Sequence, residues 1–376
     1  MDLSLKHFNK KKLVFDASYP RRYARSTRKH SDRLKLVVSE LTPKSGPQPG
    51  GVTFICAHAN GFHKELYEPF FDDLVDAMLA IKPDVKIERV LILDAPYGGE
   101  SYRLNESVIG DAISWNDLPN DAYLILQSYC PVGPIIAIGH SMGGNQMVQL
   151  AVNFPQLLAG VVACEPIIAP ETLFNSPSDT ASRSSVLRKE VWPSKQESDR
   201  FFDSRPFYRH WDPRILLRQK IYGVRPGPTR AHPEATPQNS VLAYPKAQEV
   251  WGYILEEHKP DFFVNGSRRP EPQEVFNKLP SLQTNICFVY GTESFALPMS
   301  NAVAKAVPAQ HFTLFLMEKG THLIPMEQPT EYAQLVAPFV LDNIQKFIDK
   351  FAKYDNIPRE DQISHTILPN LDKSKI

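Results

Sequence analysis

The chain has 376 residues, of which 42% are hydrophobic and 22% charged, and its 42 basic residues are balanced by 42 acidic ones. A chain of this size buries a full core with room for a sizeable insertion, and the cancelled charge leaves no excess that asks for nucleic acid, an acidic polymer or an anionic membrane. No run of about eighteen apolar residues and no long apolar core near Met1 occurs, so neither a membrane span nor a secretory signal is expected.

In chain order, residues up to about 33 carry no clear strand pattern and read as an N-terminal extension. Residues 52–57 form the first short apolar run and end in His58-Ala59-Asn60-Gly61-Phe62. Tyr67, Phe70, Phe71, Leu74, Val75 and Met78 then follow at helical spacing, before a second run at 90–93 that opens into Asp94-Ala95-Pro96-Tyr97-Gly98-Gly99-Glu100-Ser101. Short apolar runs alternating with amphipathic segments predict a doubly wound, mostly parallel sheet flanked by helices.

The third run, 135–139, leads into Gly139-His140-Ser141-Met142-Gly143-Gly144, which a helical segment follows. This is G-x-S-x-G between a strand and a helix, the context in which a serine is held on a strained turn with its hydroxyl above the sheet. Glycines flank it because a side chain there collides with the neighbouring backbone. The following helix directs its free N–H groups at the same point, where they stabilise developing negative charge.

A fourth run, 158–164, ends in Glu165-Pro166, so an otherwise apolar strand terminates in a single carboxylate. Residues 166–280 hold 15 of the 33 prolines, which breaks the strand–helix grammar and predicts an irregular, partly helical insertion that covers the end of the sheet as a cap or lid. Strands return at 286–290, followed by Gly291-Thr292-Glu293-Ser294, and at 312–317, followed by Gly320-Thr321-His322-Leu323. A long amphipathic helix starts at Thr330 behind Pro329. The domain reading is a core of residues 1–165 and 281–352, a cap of 166–280 and a polar tail of 353–376.

The four cysteines form no CxxC pair and no zinc-ligand spacing, so they are expected to be reduced, mostly buried and inert, and neither a metal nor an organic cofactor is expected. The tail ends in Ser374, Lys375 and Ile376, one methyl shift from the Ser-Lys-Leu address. This predicts recognition by the peroxisomal import receptor and a peroxisomal location, with the cytoplasm as the alternative.

With its loops in this order, the chain resembles the α/β-hydrolase superfamily over residues from about 34 to 350. The resemblance implies Ser141 as nucleophile, His322 as its general base, and an oxyanion hole made by the backbone N–H groups of Met142 and Asn60, with Phe62 in reserve. It also implies a structural role for the Asp94 loop. Members of the superfamily usually place the triad aspartate three residues after the glycine that ends the seventh strand, and Ser294 stands there in this chain. Two carboxylates are candidates for the missing acid: Glu165, 24 residues after Ser141, at the strand to which lipases and dehalogenases of the superfamily move it, and Glu293 as the alternative. A serine at the elbow argues against dehalogenase and epoxide-hydrolase chemistry, which need a carboxylate nucleophile.

The length and the Ser-Lys-Ile ending resemble fungal peroxisomal lipase-like proteins and toxin-biosynthesis hydrolases. That implies a small-molecule carboxylic ester or lipid, cleaved through an acyl-enzyme. An acyl-CoA thioesterase, a carbon–carbon-bond hydrolase with the same triad, and a non-catalytic binding protein are the alternatives.

Overall fold

The apolar runs become strands of an eight-stranded sheet in the computed structural model, which describes residues 3–174, 180–254 and 269–355. In chain order the described residues form strands β1 (Phe8–Asp16), β2 (Lys35–Pro43), β3 (Val52–Ala57), β4 (Ile87–Leu93), β5 (Ile135–His140), β6 (Gly160–Cys164), β7 (Val191–Trp192), β8 (Val224–Pro226), β9 (Ser240–Leu242), β10 (Ile286–Gly291) and β11 (Phe312–Met317), of which β7, β8 and β9 make a separate small sheet. The large sheet runs β1-β2-β4-β3-β5-β6-β10-β11. Strand β2 is antiparallel to both its neighbours, and every pairing from β4 to β11 is parallel.

The central strands are buried on both faces, and successive residues serve two different cores. In β5, Ile135 and Ala137 join one core, while Ile136 and Ile138 join the other. The first core packs against helices Asp117–Tyr129, Met142–Asn153 and Leu297–Ala306. The second packs against Glu68–Ile81 and Pro329–Asp355, where Phe70 stacks on Tyr332 at 4.6 Å between ring centroids. This two-sided burial explains why the strands read as continuous apolar runs.

The expected N-terminal extension of residues 1–33 contains the edge strand of the sheet. All nine residues of β1 pair with β2, from Phe8 opposite Pro43 to Asp16 opposite Lys35. Only Phe8 of this strand is buried, so it is held by its backbone ladder and has no apolar run to announce it. Lys10, Lys11 and Lys12 lie on this edge, where charge discourages further strand pairing.

Between β6 and β10 the chain forms the short helices Thr180–Val186, Lys195–Ser204, Pro213–Tyr222, Lys246–Tyr253 and Glu271–Lys278, together with an antiparallel sheet in the order β7-β9-β8. Trp192, Phe202, Tyr208 and Trp211 are buried within this stretch. No helix among the described residues is long and apolar enough to cross a membrane. Ser374, Lys375 and Ile376 lie outside the described residues.

Candidate active site

Strand β5 ends at His140 and the next helix begins at Met142, leaving Ser141 alone in the turn at φ 55° and ψ −114°. A non-glycine residue in such a region costs about 1–3 kcal/mol and persists only where its surroundings fix it. Here the Ser141 N–H donates to the Cys164 carbonyl at 2.9 Å, while the Ser141 carbonyl accepts from Asn145 N–H at 3.1 Å and from Ile167 N–H at 3.3 Å. The flanking glycines follow from distance. A Cβ at Gly139 would lie 2.2 Å from the Gly143 carbonyl oxygen, and one at Gly143 would lie 2.2 Å from that of Ala57.

Above this turn the structure brings Ser141, His322 and Glu165 into one hydrogen-bonded chain. His322 Nε2 lies 2.9 Å from Ser141 Oγ, and Nδ1 lies 2.9 Å from Glu165 Oε2. A carboxylate oxygen only accepts, so Nδ1 carries the hydrogen and Nε2 is free to accept from the serine. Glu165 is fully buried just beyond β6, at φ 52°. Its Oε1 accepts from the Gly291 N–H at 2.5 Å, and its Oε2 also accepts a short hydrogen bond from the Ser294 hydroxyl.

Glu293 is not part of this chain. Its side chain is exposed, and it meets the histidine loop through its backbone, with Glu293 N–H donating to the Gly320 carbonyl at 2.9 Å. Gly291 and Gly320 make the two loops' contact possible, since a Cβ at Gly291 would lie 2.1 Å from the Gly320 carbonyl oxygen.

Met142 is the first residue of its helix, so its N–H has no intrahelical acceptor. Among the described residues the Asn60 N–H has no acceptor either, whereas the Phe62 N–H closes a turn onto the Ala59 carbonyl at 3.2 Å. The Asn60 side chain is buried and tied to the inserted segment. Its Oδ1 accepts from the Tyr244 hydroxyl at 2.9 Å, and its Nδ2 donates to the Glu249 carbonyl at 2.8 Å.

Two further histidines brace the loops. His58 Nδ1 donates to the Ala59 carbonyl at 2.8 Å, and Nε2 accepts from Ala95 N–H at 2.9 Å, joining the β3 and β4 loops. Burial holds its imidazole below the ordinary pKa, although Asp94 pulls the other way. His140 joins the elbow to the histidine loop. Its Nε2 donates to the His322 carbonyl at 2.8 Å, and its Nδ1 accepts from the Tyr67 hydroxyl at 2.9 Å. The Tyr67 oxygen in turn accepts from Ala59 N–H at 2.9 Å. Burial, helped by the neighbouring His322, pushes the His140 imidazole down to about 3, so it is neutral in this network. The sequence signals the elbow but not this network, because Tyr67 lies 73 positions from His140.

The Asp94 loop is built around a buried cation. Asp94 Oδ2 accepts from Lys64 Nζ and Glu100 N–H, at 2.9 and 3.0 Å, and Ser101 donates to the Asp94 carbonyl at 3.2 Å. Among the described residues, no group of three or more His, Cys, Asp or Glu side chains is gathered as metal ligation requires.

Ser141, His322, Asn60 and Met142 open onto a cavity of about 1440 Å³, whose remaining walls come largely from the inserted segment. Drug-sized sites occupy about 300–1,000 Å³, so this space holds more than a small ester. The floor and sides include Phe202, Tyr208, Leu242 and Met299, so the Ser141–His322–Glu165 chain faces a largely apolar chamber.

Comparison with known proteins agrees with this architecture. A family model described as "Alpha/beta hydrolase family" matches residues 54–335. The chain is 28% identical to the type I acyl-CoA thioesterase mpaH of Penicillium roqueforti (strain FM164), over 78% of this chain and 76% of that protein. It is also 28% identical to the peroxisomal membrane protein LPX1 of Saccharomyces cerevisiae, over 91% of this chain and 88% of that one. The solved structure of the peroxisomal alpha-beta-hydrolase Lpx1 from Saccharomyces cerevisiae superposes with a TM-score of 0.74 at 18% identity, covering 98% of this chain and 96% of the other.

Proposed function

Because the chain belongs to the alpha/beta hydrolase family, we propose that it is a serine hydrolase that cleaves carboxylic esters or acyl thioesters through an acyl-enzyme intermediate. The observation that carries this reading is the Ser141–His322–Glu165 chain at the floor of the large apolar cavity.

In this mechanism His322 Nε2 takes the Ser141 proton as the serine oxygen attacks the acyl carbon, and Glu165 stabilises the imidazolium that forms. The N–H groups of Met142 and Asn60 receive the negative charge on the acyl oxygen. Collapse of the tetrahedral intermediate breaks the bond to the alcohol or thiol, which takes its proton from His322. A water molecule activated by His322 then releases the carboxylic acid and regenerates Ser141. The stretch 166–280 acts as the cap that encloses the acyl group and excludes bulk water, a role supported by its share of the cavity wall.

The thioester half of the reading is favoured by the likeness to the acyl-CoA thioesterase of Penicillium, and a peroxisomal location by the description of the Saccharomyces relative. Turnover of matched acyl chains as p-nitrophenyl esters and as coenzyme A thioesters tests the class directly. Hydrolysis of at least one series, lost in Ser141→Ala, is expected; equal rates in the variant would overturn the assignment.

A further inference from the structure

We propose that the outer wall of the cavity is a phosphate-binding site, in which Lys189 and Arg205 receive the phosphates of a nucleotide-bearing acyl carrier whose thioester reaches Ser141. The inference rests on the hydrolase reading above and adds to it a place for the non-acyl half of the substrate.

The cations that line the cavity fall into two kinds. Arg188 is neutralised by Glu249 at 2.5 Å, and Arg269 is held by Glu271 at 3.0 Å. Among the described residues, Lys189 and Arg205 have no carboxylate within ion-pair distance, and both are exposed. Of the three carboxylates in the wall among the described residues, Glu249 is committed to Arg188 and Ser185, Glu274 to Asn116 and Arg22, and Glu171 forms no ion pair with Lys189 or Arg205.

Neither charge hangs free, however. Lys189 Nζ sits 5.9 Å from the centre of the Trp192 ring, and the Arg205 guanidinium sits 4.6 Å from that of Phe201. The two rings meet edge to face with centroids 5.2 Å apart, so both cations are seated on one aromatic pair in the cavity wall. A cation held over a ring keeps its N–H donors available, unlike one held by a carboxylate. Two such exposed charges lining a low-dielectric cavity draw in a polyanion and bind its oxygens. The buried indole N–H of Trp192 has no acceptor among the described residues, which leaves one more unused donor in the same wall. The chamber's size fits an acyl group together with a long carrier arm.

The test compares one acyl group carried on coenzyme A and on pantetheine, which has the same thioester without the phosphates. In the wild-type chain kcat/KM is expected to be at least tenfold higher for the coenzyme A thioester, through KM, with the advantage shrinking as salt is raised. Lys189→Ala with Arg205→Ala is expected to bring the ratio of the two substrates to within about threefold of unity, while Lys189→Arg with Arg205→Lys preserves it; melting curves establish that each variant is folded. A wild-type ratio near one, or an unchanged ratio in the alanine pair, would overturn the site. Loss of binding to vesicles containing phosphatidylserine with no change in that ratio would overturn it too, and mark the wall as a membrane-facing surface. Failure of the hydrolase reading is separate: the wild-type chain would then turn over neither thioester.

Discussion

The Ser294 hydroxyl donates to the same carboxylate oxygen of Glu165 that holds His322 Nδ1. Ser294, three residues after the glycine that ends β10, therefore meets His322 through Glu165 and supplies a hydrogen-bond donor to that carboxylate. Its oxygen also accepts from Ala296 N–H at 3.1 Å, which fixes the direction of the hydroxyl. Ser294→Ala should lower kcat about tenfold with little change in KM, and Ser294→Thr should restore most of it. A KM effect alone would place Ser294 in substrate binding.

The identity of the acid is tested by the two glutamates. Glu165→Gln should cut kcat by roughly three to four powers of ten, because the histidine loses the carboxylate that fixes its tautomer and stabilises its charged form. Glu293→Gln should cost less than about tenfold, since that side chain is exposed and meets the histidine loop through its backbone. Adding Ser294→Asp to Glu165→Gln should recover about a hundredfold by returning a carboxylate to the other strand. A reversed ranking of the two single variants would assign the acid to Glu293.

The neutral His140 makes stability depend on pH. Its folded pKa of about 3 lies below the ordinary 6.5, so between these values the unfolded chain binds the proton more readily. The contribution is therefore complete above pH 6.5 and is lost as pH falls towards 3, reaching a few kcal/mol at the limit. His140→Gln should melt lower than wild type at pH 7.5, with the gap narrowing by pH 4.5. Parallel melting profiles across that range would show that His140 does not titrate against the fold.

The elbow was legible because its chemistry is local: strand, glycine, serine and helix start are contiguous from Ile135 to Met142. His322 was legible from its place after the last strand. The acid was ambiguous because the choice between Glu165 and Glu293 depends on the positive φ at Glu165 and on Gly291 N–H reaching across from β10, neither of which leaves a mark in residue spacing. β1 leaves little mark in the sequence for a different reason, since an edge strand held by backbone pairing needs little apolar pattern. The walls of the inserted segment depend on packing among Trp192, Phe201, Phe202 and Tyr208, which proline-rich sequence does not specify.

The proposed peroxisomal location is tested at Ser374, Lys375 and Ile376. The chain carrying a fluorescent protein at its N-terminus should be found in peroxisomes, and deletion of these three residues should leave it in the cytosol with kcat/KM unchanged. Cytosolic fluorescence of the undeleted fusion would refute the proposed location.

A Ser141 nucleophile activated by His322 is open to covalent capture. Intact-mass measurement after treatment with a fluorophosphonate should show a single adduct, mapped by peptide sequencing to Ser141, absent in Ser141→Ala and formed far more slowly in His322→Ala. A folded wild-type chain that forms no adduct, or one that is labelled equally when Ser141 is replaced, would rule out Ser141 as the nucleophile.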